Sequence, residues 1–244
     1  MKKIKQYYSN IMRGPWYFRW IKKIGFWFFV VSFSWVLIYK WIPVPLTFFM
    51  FQRCIVQKYN GEEMRLKKNW KPIEDISNHL QLAVVCAEDQ NYLTHSGFDL
   101  KAIKRAVDFN DKMEDLGKNK RRGASTISQQ TAKNVFLWHG RSFIRKGFEV
   151  YFTALIEVMW SKKRIMEVYL NVIEFGNGVY GAEAAAKSYL NKSAKNISTN
   201  EAALMAVVLP NPRKFSIAKP SAYIKKRQNW CAKQMRFWGG RLVY

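Results

Sequence analysis

Uncharged residues run without a break from Ile24 to Tyr39, and Trp41 and Ile42 extend the run beyond Lys40. The length approaches the roughly 20 residues that a bilayer requires. Pro43 and Pro45 then stop a helix. Trp20, Trp35, Tyr39 and Trp41 suit interfacial belts, and Lys40 can snorkel. No small-x-small cleavage site follows, so the pattern predicts an uncleaved anchor. Beyond it the apolar positions recur at helical spacing and strict alternation is scarce. Asp75 or Ser77 can cap a helix that ends near Glu88. Asp99 caps one with Ala102, Ile103, Ala106 and Val107 on one face. Residues 110–122 are polar and aperiodic, which predicts a mobile loop. Ser125 or Thr126 caps the next helix. Ser142 begins a long one through Trp160, with Phe148, Phe152, Leu155 and Met159 as its core stripe. Further helices are expected over 163–175 and 182–190, after the Ser198–Glu201 capping box, and from Ser221 to Gly239-Gly240.

The pattern therefore predicts a mostly α-helical chain. Residues 1–23 form a basic tail, 24–42 a transmembrane anchor, 43–70 a membrane-proximal linker and 71–244 a single domain. Charge then sets the orientation. The 244 residues carry a formal net charge of +24. No Asp or Glu precedes Glu62, whereas Lys2, Lys3, Lys5, Arg13, Arg19, Lys22 and Lys23 crowd the N-terminus. The positive-inside rule keeps that end in the cytoplasm and exports the rest. Basic charge suits nucleic acid, anionic lipid or a polyanionic substrate. Export argues against nucleic acid. Cys54, Cys86 and Cys231 are too few and too widely spaced for a disulfide framework.

Candidate chemistry starts at Glu88-Asp89, where two carboxylates end an apolar helical run. A carboxylate there faces the negative end of the helix dipole, which raises its proton affinity, as a general base requires. Asp89 points elsewhere, since helical neighbours differ by about 100°, and is expected to orient or cap the site. His95 is expected as a hydrogen-bonding support. In Gly123-Ala124-Ser125-Thr126-Ile127-Ser128-Gln129-Gln130-Thr131-Ala132-Lys133-Asn134, Gln129 shares a face with Lys133, and Gln130 with Asn134. Ser125 and Thr126 add hydroxyls and N–H groups at a helix start, a favourable anion site. Arg141, Arg145 and Lys146 place cations before and on the helix bearing Glu149, and Arg145 is its i,i+4 neighbour. Lys162 is a candidate phosphate contact. Glu167 and Asn171 can hold their helix and the loop after it. No His-Glu-x-x-His spacing is present, so no metal site borne by the protein alone is expected.

Four blocks in this order resemble the peptidoglycan glycosyltransferases, glycosyltransferase family 51. These are the polymerising domains of class A penicillin-binding proteins, and the match is best to their monofunctional biosynthetic form. The blocks are Glu88–Gly97, Gly123–Asn134, Arg145–Glu149 with Ala154 and Glu157, and Lys162–Asn171. The resemblance spans about Leu82 to Pro212, with Tyr92 in place of the common phenylalanine and Met166 in place of leucine. It implies a lysozyme-like, two-lobed helical domain. It implies Glu88 as general base and Glu149 as second catalytic carboxylate. Lys133, Arg141, Ser125, Thr126, Gln129, Gln130, Asn134, Lys162 and Arg145 would contact pyrophosphate or sugar, with Asp89, His95 and Asn171 in support. The implied substrates are lipid II and the lipid-linked growing glycan, polymerised into β-1,4 strands at a Gram-negative inner membrane with the domain in the periplasm. Other cell-wall synthesis and division proteins are candidate partners. No cofactor is required by the sequence, and a substrate-bound Mg²⁺ or Mn²⁺ near Glu149 stays open. The rival readings are a lysozyme-like cleaving enzyme and a membrane-tethered scaffold.

Overall fold

The computed structural model describes residues 16–119, 121–140 and 142–244, except the side chain of Tyr17. Lys2, Lys3, Lys5 and Arg13 of the basic tail lie outside the described residues, as does Arg141. The chain forms two units, Met1–Ile42 and Pro43–Tyr244. Among its described residues the first contains one helix, α1 (Trp16–Tyr39). Its segment Phe18–Tyr39 is long and apolar enough to cross a membrane, which fits a single-pass anchor. The helix begins earlier than the apolar run because Arg19, Lys22 and Lys23 are good helix formers. It ends at Tyr39, short of Pro43, whose ring disfavours helix in the residue before it.

The second unit is mostly α-helical. Segment 43–70 carries structure of its own: α2 (Phe48–Tyr59), capped by Thr47, and β1 (Lys67–Lys68). Arg53 and Gln57 on α2 both donate to Asn177 Oδ1, at 2.8 and 3.0 Å. A 3₁₀ turn (Ile73–Asp75) leads into α3 (Asn78–Glu88). Then follow α4 (Leu100–Asp115), α5 (Ile127–Phe136), α6 (Phe143–Met159) and α7 (Lys162–Val172). A small sheet comes next, β2 (Glu174–Gly176) and β3 (Val179–Tyr180). The unit closes with α8 (Ala182–Leu190), α9 (Thr199–Val208) and α10 (Ala222–Phe237).

At the centre lies α3, with Leu80, Leu82, Ala83, Val84, Val85 and Cys86 all buried. A helix apolar on every side belongs in the middle of a bundle. It packs on α9, whose Ala202, Ala203 and Ala206 let the two axes come close, and on α10. Burying each Leu or Val here contributes roughly 1.5–3 kcal/mol relative to exposure. The entry to α3 is fixed by Gln81, whose Nε2 donates to the Ile73 and Ile76 carbonyls, and by Ser77 Oγ donating to the Ile197 carbonyl. A helix buried along most of its length therefore ends at Glu88.

Three features differ from the sequence pattern. The polar stretch after Asn110 is helical as far as Asp115, since residues 111–115 are compatible with helix and Gly117, at φ 62°, supplies the stop. Asn110 then exchanges two hydrogen bonds with the Arg122 backbone, closing the loop on itself. On α6 the buried line is Glu149, Phe152, Thr153 and Ile156, while Phe148, Leu155 and Met159 lie only at its margin. The core face includes a carboxylate, so an apolar-only count reads it one position off. The sheet, in order β1-β3-β2, was not foreseen. Its strands are two or three residues long, below the length at which alternation shows. The local clue is Asn177-Gly178, a two-residue hairpin turn.

Gly178 has φ 70°, and a Cβ there would lie 2.0 Å from the Arg65 carbonyl oxygen. The parallel pairing of β1 with β3 depends on that approach, since Lys67 N–H donates to the Gly178 carbonyl. Gly178→Ala is expected to cost about 2 kcal/mol or more. Thermal unfolding should show a loss of several degrees.

Candidate active site

Helix α5 assembles the site, and its own capping explains how. Thr126 Oγ1 accepts from Gln129 N–H, and Gln129 Oε1 accepts from Thr126 N–H. This capping box satisfies two groups at the helix start. Thr126 Oγ1 also donates to the Gly97 carbonyl at 2.6 Å. Asp89, 5% exposed, completes the cap from outside: its Oδ2 accepts from Ile127 N–H at 3.0 Å. The same carboxylate receives His95 Nε2 at 2.9 Å. His95 Nδ1 accepts from Gly97 N–H, so the proton of the neutral ring sits on Nε2. Asp89 and His95 thus join the end of α3 to the start of α5.

One turn further along α5 stands the second half of the constellation. Gln130 Nε2 donates to Glu88 Oε2 at 2.7 Å, and Gln130 Oε1 accepts from Tyr169 O–H at 3.2 Å. Tyr169, fully buried on α7, thereby fixes which end of the amide faces Glu88. Burial pushes the Glu88 pKa above the usual glutamate range; the Gln130 bond and the Arg227 and Lys133 charges oppose the shift, and Asp89 adds to it.

Lys133 follows three residues further along α5. Burial lowers its pKa, while the Glu149 carboxylate opposes that shift. Its ammonium makes no hydrogen bond among the described residues. Glu149 is 4% exposed on α6. Lys146 donates to its Oε1 at 2.5 Å, and Arg145 Nη1 lies 3.6 Å from its Oε2. The Arg145 Nε–H is buried and finds no acceptor among the described residues. Lys133 and Arg145 therefore present cationic donors that the fold leaves unspent.

Other candidates are placed differently. Lys162 is engaged within the protein. Its Nζ donates to Glu157 Oε1 at 2.7 Å and lies 4.9 Å from the Tyr92 ring centre. Ser128 Oγ binds the same Glu157 oxygen. Tyr92 O–H donates to the Lys162 carbonyl, so the hydroxyl that distinguishes it from phenylalanine has a partner. Thr126 and Gln129 spend their polar side chains on the capping box. Asn134 Nδ2 donates to the Gln130 carbonyl of its own helix. Ser125 is exposed beside the helix start. Asn171 pairs with both backbone groups of Lys71, each at 2.8 Å, and so anchors the segment before α3. Two residues escaped the sequence reading. Tyr169 lies within the fourth block but carries no signal of its own. Arg227 comes from α10, where nothing local marks it as a neighbour of Glu88.

Comparison with known proteins finds relatives over most of the chain. The family model described as Transglycosylase matches residues 55–236. A biosynthetic peptidoglycan transglycosylase of Haemophilus influenzae is 48% identical over 240 residues, covering 96% of each chain. One from Pseudomonas entomophila is 48% identical over 214 residues, covering 88% of this chain and 89% of the relative. One from Bdellovibrio bacteriovorus is 49% identical over 219 residues, covering 89% and 86%. With a matched domain that includes every residue of the constellation around Glu88 and Glu149, the chain belongs to the transglycosylase family.

Proposed function

We propose that this protein polymerises a lipid-linked disaccharide precursor, lipid II, into β-1,4 glycan strands of peptidoglycan. The observation that carries the reading is Glu88: a carboxylate of raised proton affinity, oriented by Gln130, which itself lies one turn before Lys133 on α5. Glu88 takes the proton from the 4-hydroxyl of the acceptor's N-acetylglucosamine. The freed oxygen attacks C1 of the donor's N-acetylmuramic acid from the face opposite the leaving group. The C1–O bond to pyrophosphate breaks, and its electron pair leaves with undecaprenyl pyrophosphate. Attack from the far face converts an α-linked donor into a β product.

Lys133 and Arg145 would stabilise the charge gathering on the departing pyrophosphate, the kind of fixed electrostatics that usually dominates catalysis. Glu149 holds Arg145 and Lys146 together and keeps their field aimed at one place. Among the described residues no group of three or more His, Cys, Asp or Glu side chains converges on a metal position. An anchor with its basic end in the cytoplasm would put the domain in the periplasm, beside substrates that the inner membrane holds.

Strand synthesis from purified lipid II, with and without Mg²⁺ and moenomycin, tests the reading. Incubation with finished glycan separates polymerisation from cleavage: release of fragments without strand synthesis would refute it. A pH profile tests the base. Glu88 must be ionised to act, so its raised pKa places the acid limb of the rate above the ordinary glutamate range. Arg227 favours the ionised form. Arg227→Gln should therefore move the acid limb to higher pH while leaving the plateau nearly unchanged. An unmoved limb would show that another group controls it.

A further inference from the structure

Helix α10 gives one face to the core and leaves the other exposed, where Tyr223 meets the Phe215 ring at 6.0 Å. Ile224, Cys231 and Met235 are buried. On the far side Tyr223, Lys226, Trp230, Lys233 and Phe237 are exposed. Their spacing alternates three and four residues, which draws them into one line, the seam of a two-helix contact. Tyr223 is 59% exposed and Phe237 72%. Large rings set at seven-residue intervals in water are a costly surface unless something covers them.

The charge of this face is of one sign. No Asp or Glu follows Glu201, while nine Lys or Arg do. A second copy of the chain is therefore a poor occupant, since like charges would meet. An anionic bilayer fits less well than a protein. Interfacial helices keep their lysines on the polar flank, whereas Lys226 and Lys233 stand on the centre line between the rings. Cations also lie against two of the rings: the Arg227 guanidinium is 4.5 Å from the centre of Trp230, and Lys233 Nζ is 5.8 Å from that of Phe237.

We infer that this face of α10 docks an acidic amphipathic helix of a partner protein. The rings of Tyr223, Trp230 and Phe237 fill its apolar seam, and Lys226 and Lys233 pair with carboxylates beside that seam. The line from Tyr223 to Phe237 is about 21 Å long, enough for four turns of the partner.

The test uses the full chain in nanodiscs of neutral phosphatidylcholine and a labelled helical peptide with leucine along one seam and glutamate beside it. Fluorescence anisotropy should show saturable binding that weakens as salt rises. The lysine-for-glutamate peptide should not bind. Lys226→Glu with Lys233→Glu should weaken the acidic peptide about tenfold or more and create binding of the basic one. Tyr223→Ala with Phe237→Ala should weaken the acidic peptide by a similar factor. All four side chains are exposed, so thermal unfolding and strand synthesis without peptide should match wild type. Equal binding of both peptides, no binding, or no response to the charge swap would overturn the inference. So would loss of peptide binding when the discs contain phosphatidylglycerol, which would give the face to lipid headgroups.

Discussion

Glu88→Gln should lower strand synthesis by two to four orders of magnitude, the usual range for removing a general base, with no loss of thermal stability. The two halves of that result have separate causes. Glutamine has the shape of glutamate, and its carbonyl can still accept from Gln130 Nε2, which now lies 2.7 Å from Glu88 Oε2. The hydrogen bond survives and the charge does not. Burial is the leading cause of the raised Glu88 pKa, so the site already works against the ionised form. Removing that charge should leave the melting temperature unchanged or raise it. The amide cannot take a proton from a sugar hydroxyl at neutral pH, so the rate falls. Strand length from lipid II and a thermal melt on the same preparation check both halves. Full activity in the variant would dismiss Glu88 as the base.

Much of this was legible in the sequence because it is local. The caps at Asp99, Ser142, Ser198 and Ser221 are short-range chemistry, and each side chain or box stands where its spacing says. The apolar run before Glu88 marks α3 as a central helix. Gln130 and Lys133 share α5, whose start at Ser125 or Thr126 is marked by their hydroxyls. What was not legible depends on which polar group is already spent. Thr126 and Gln129 look like sugar ligands until the capping box claims them. Lys162 reads as a phosphate contact, and its pairing with Glu157 on the preceding helix has no sequence signal. Arg227 reaches the field of Glu88 from 139 residues away, and no periodicity carries that information. The short strands fail for the opposite reason: they are too brief to show a period, although Asn177-Gly178 marks their turn.

Asp89→Ala should show the reverse signature of its neighbour, a loss of fold before a loss of chemistry. Asp89 is as buried as a core residue, yet it is the acceptor for Ile127 N–H and for His95 Nε2–H. Alanine strands both donors away from water. Hydrogen bonds to a charged group contribute about 1.5–3 kcal/mol each, so a loss of about 3 kcal/mol or more is expected. For a protein of this size that lowers the melting temperature by about 10 °C. Asp89→Asn should fall between the two. One amide oxygen can serve Ile127, but the amide nitrogen would face the protonated Nε2 of His95. Turning the ring's proton to Nδ1 only transfers the conflict to Gly97 N–H, which now donates there. Activity should decline with the melt, because Thr126 and Gln130 are positioned by the helix start that Asp89 closes. Rescue by low temperature would separate this effect from a catalytic one: Asp89→Ala should regain part of its strand synthesis on cooling, and Glu88→Gln should regain none. An unchanged melting temperature in Asp89→Ala would mean that the join between α3 and α5 does not rest on this carboxylate.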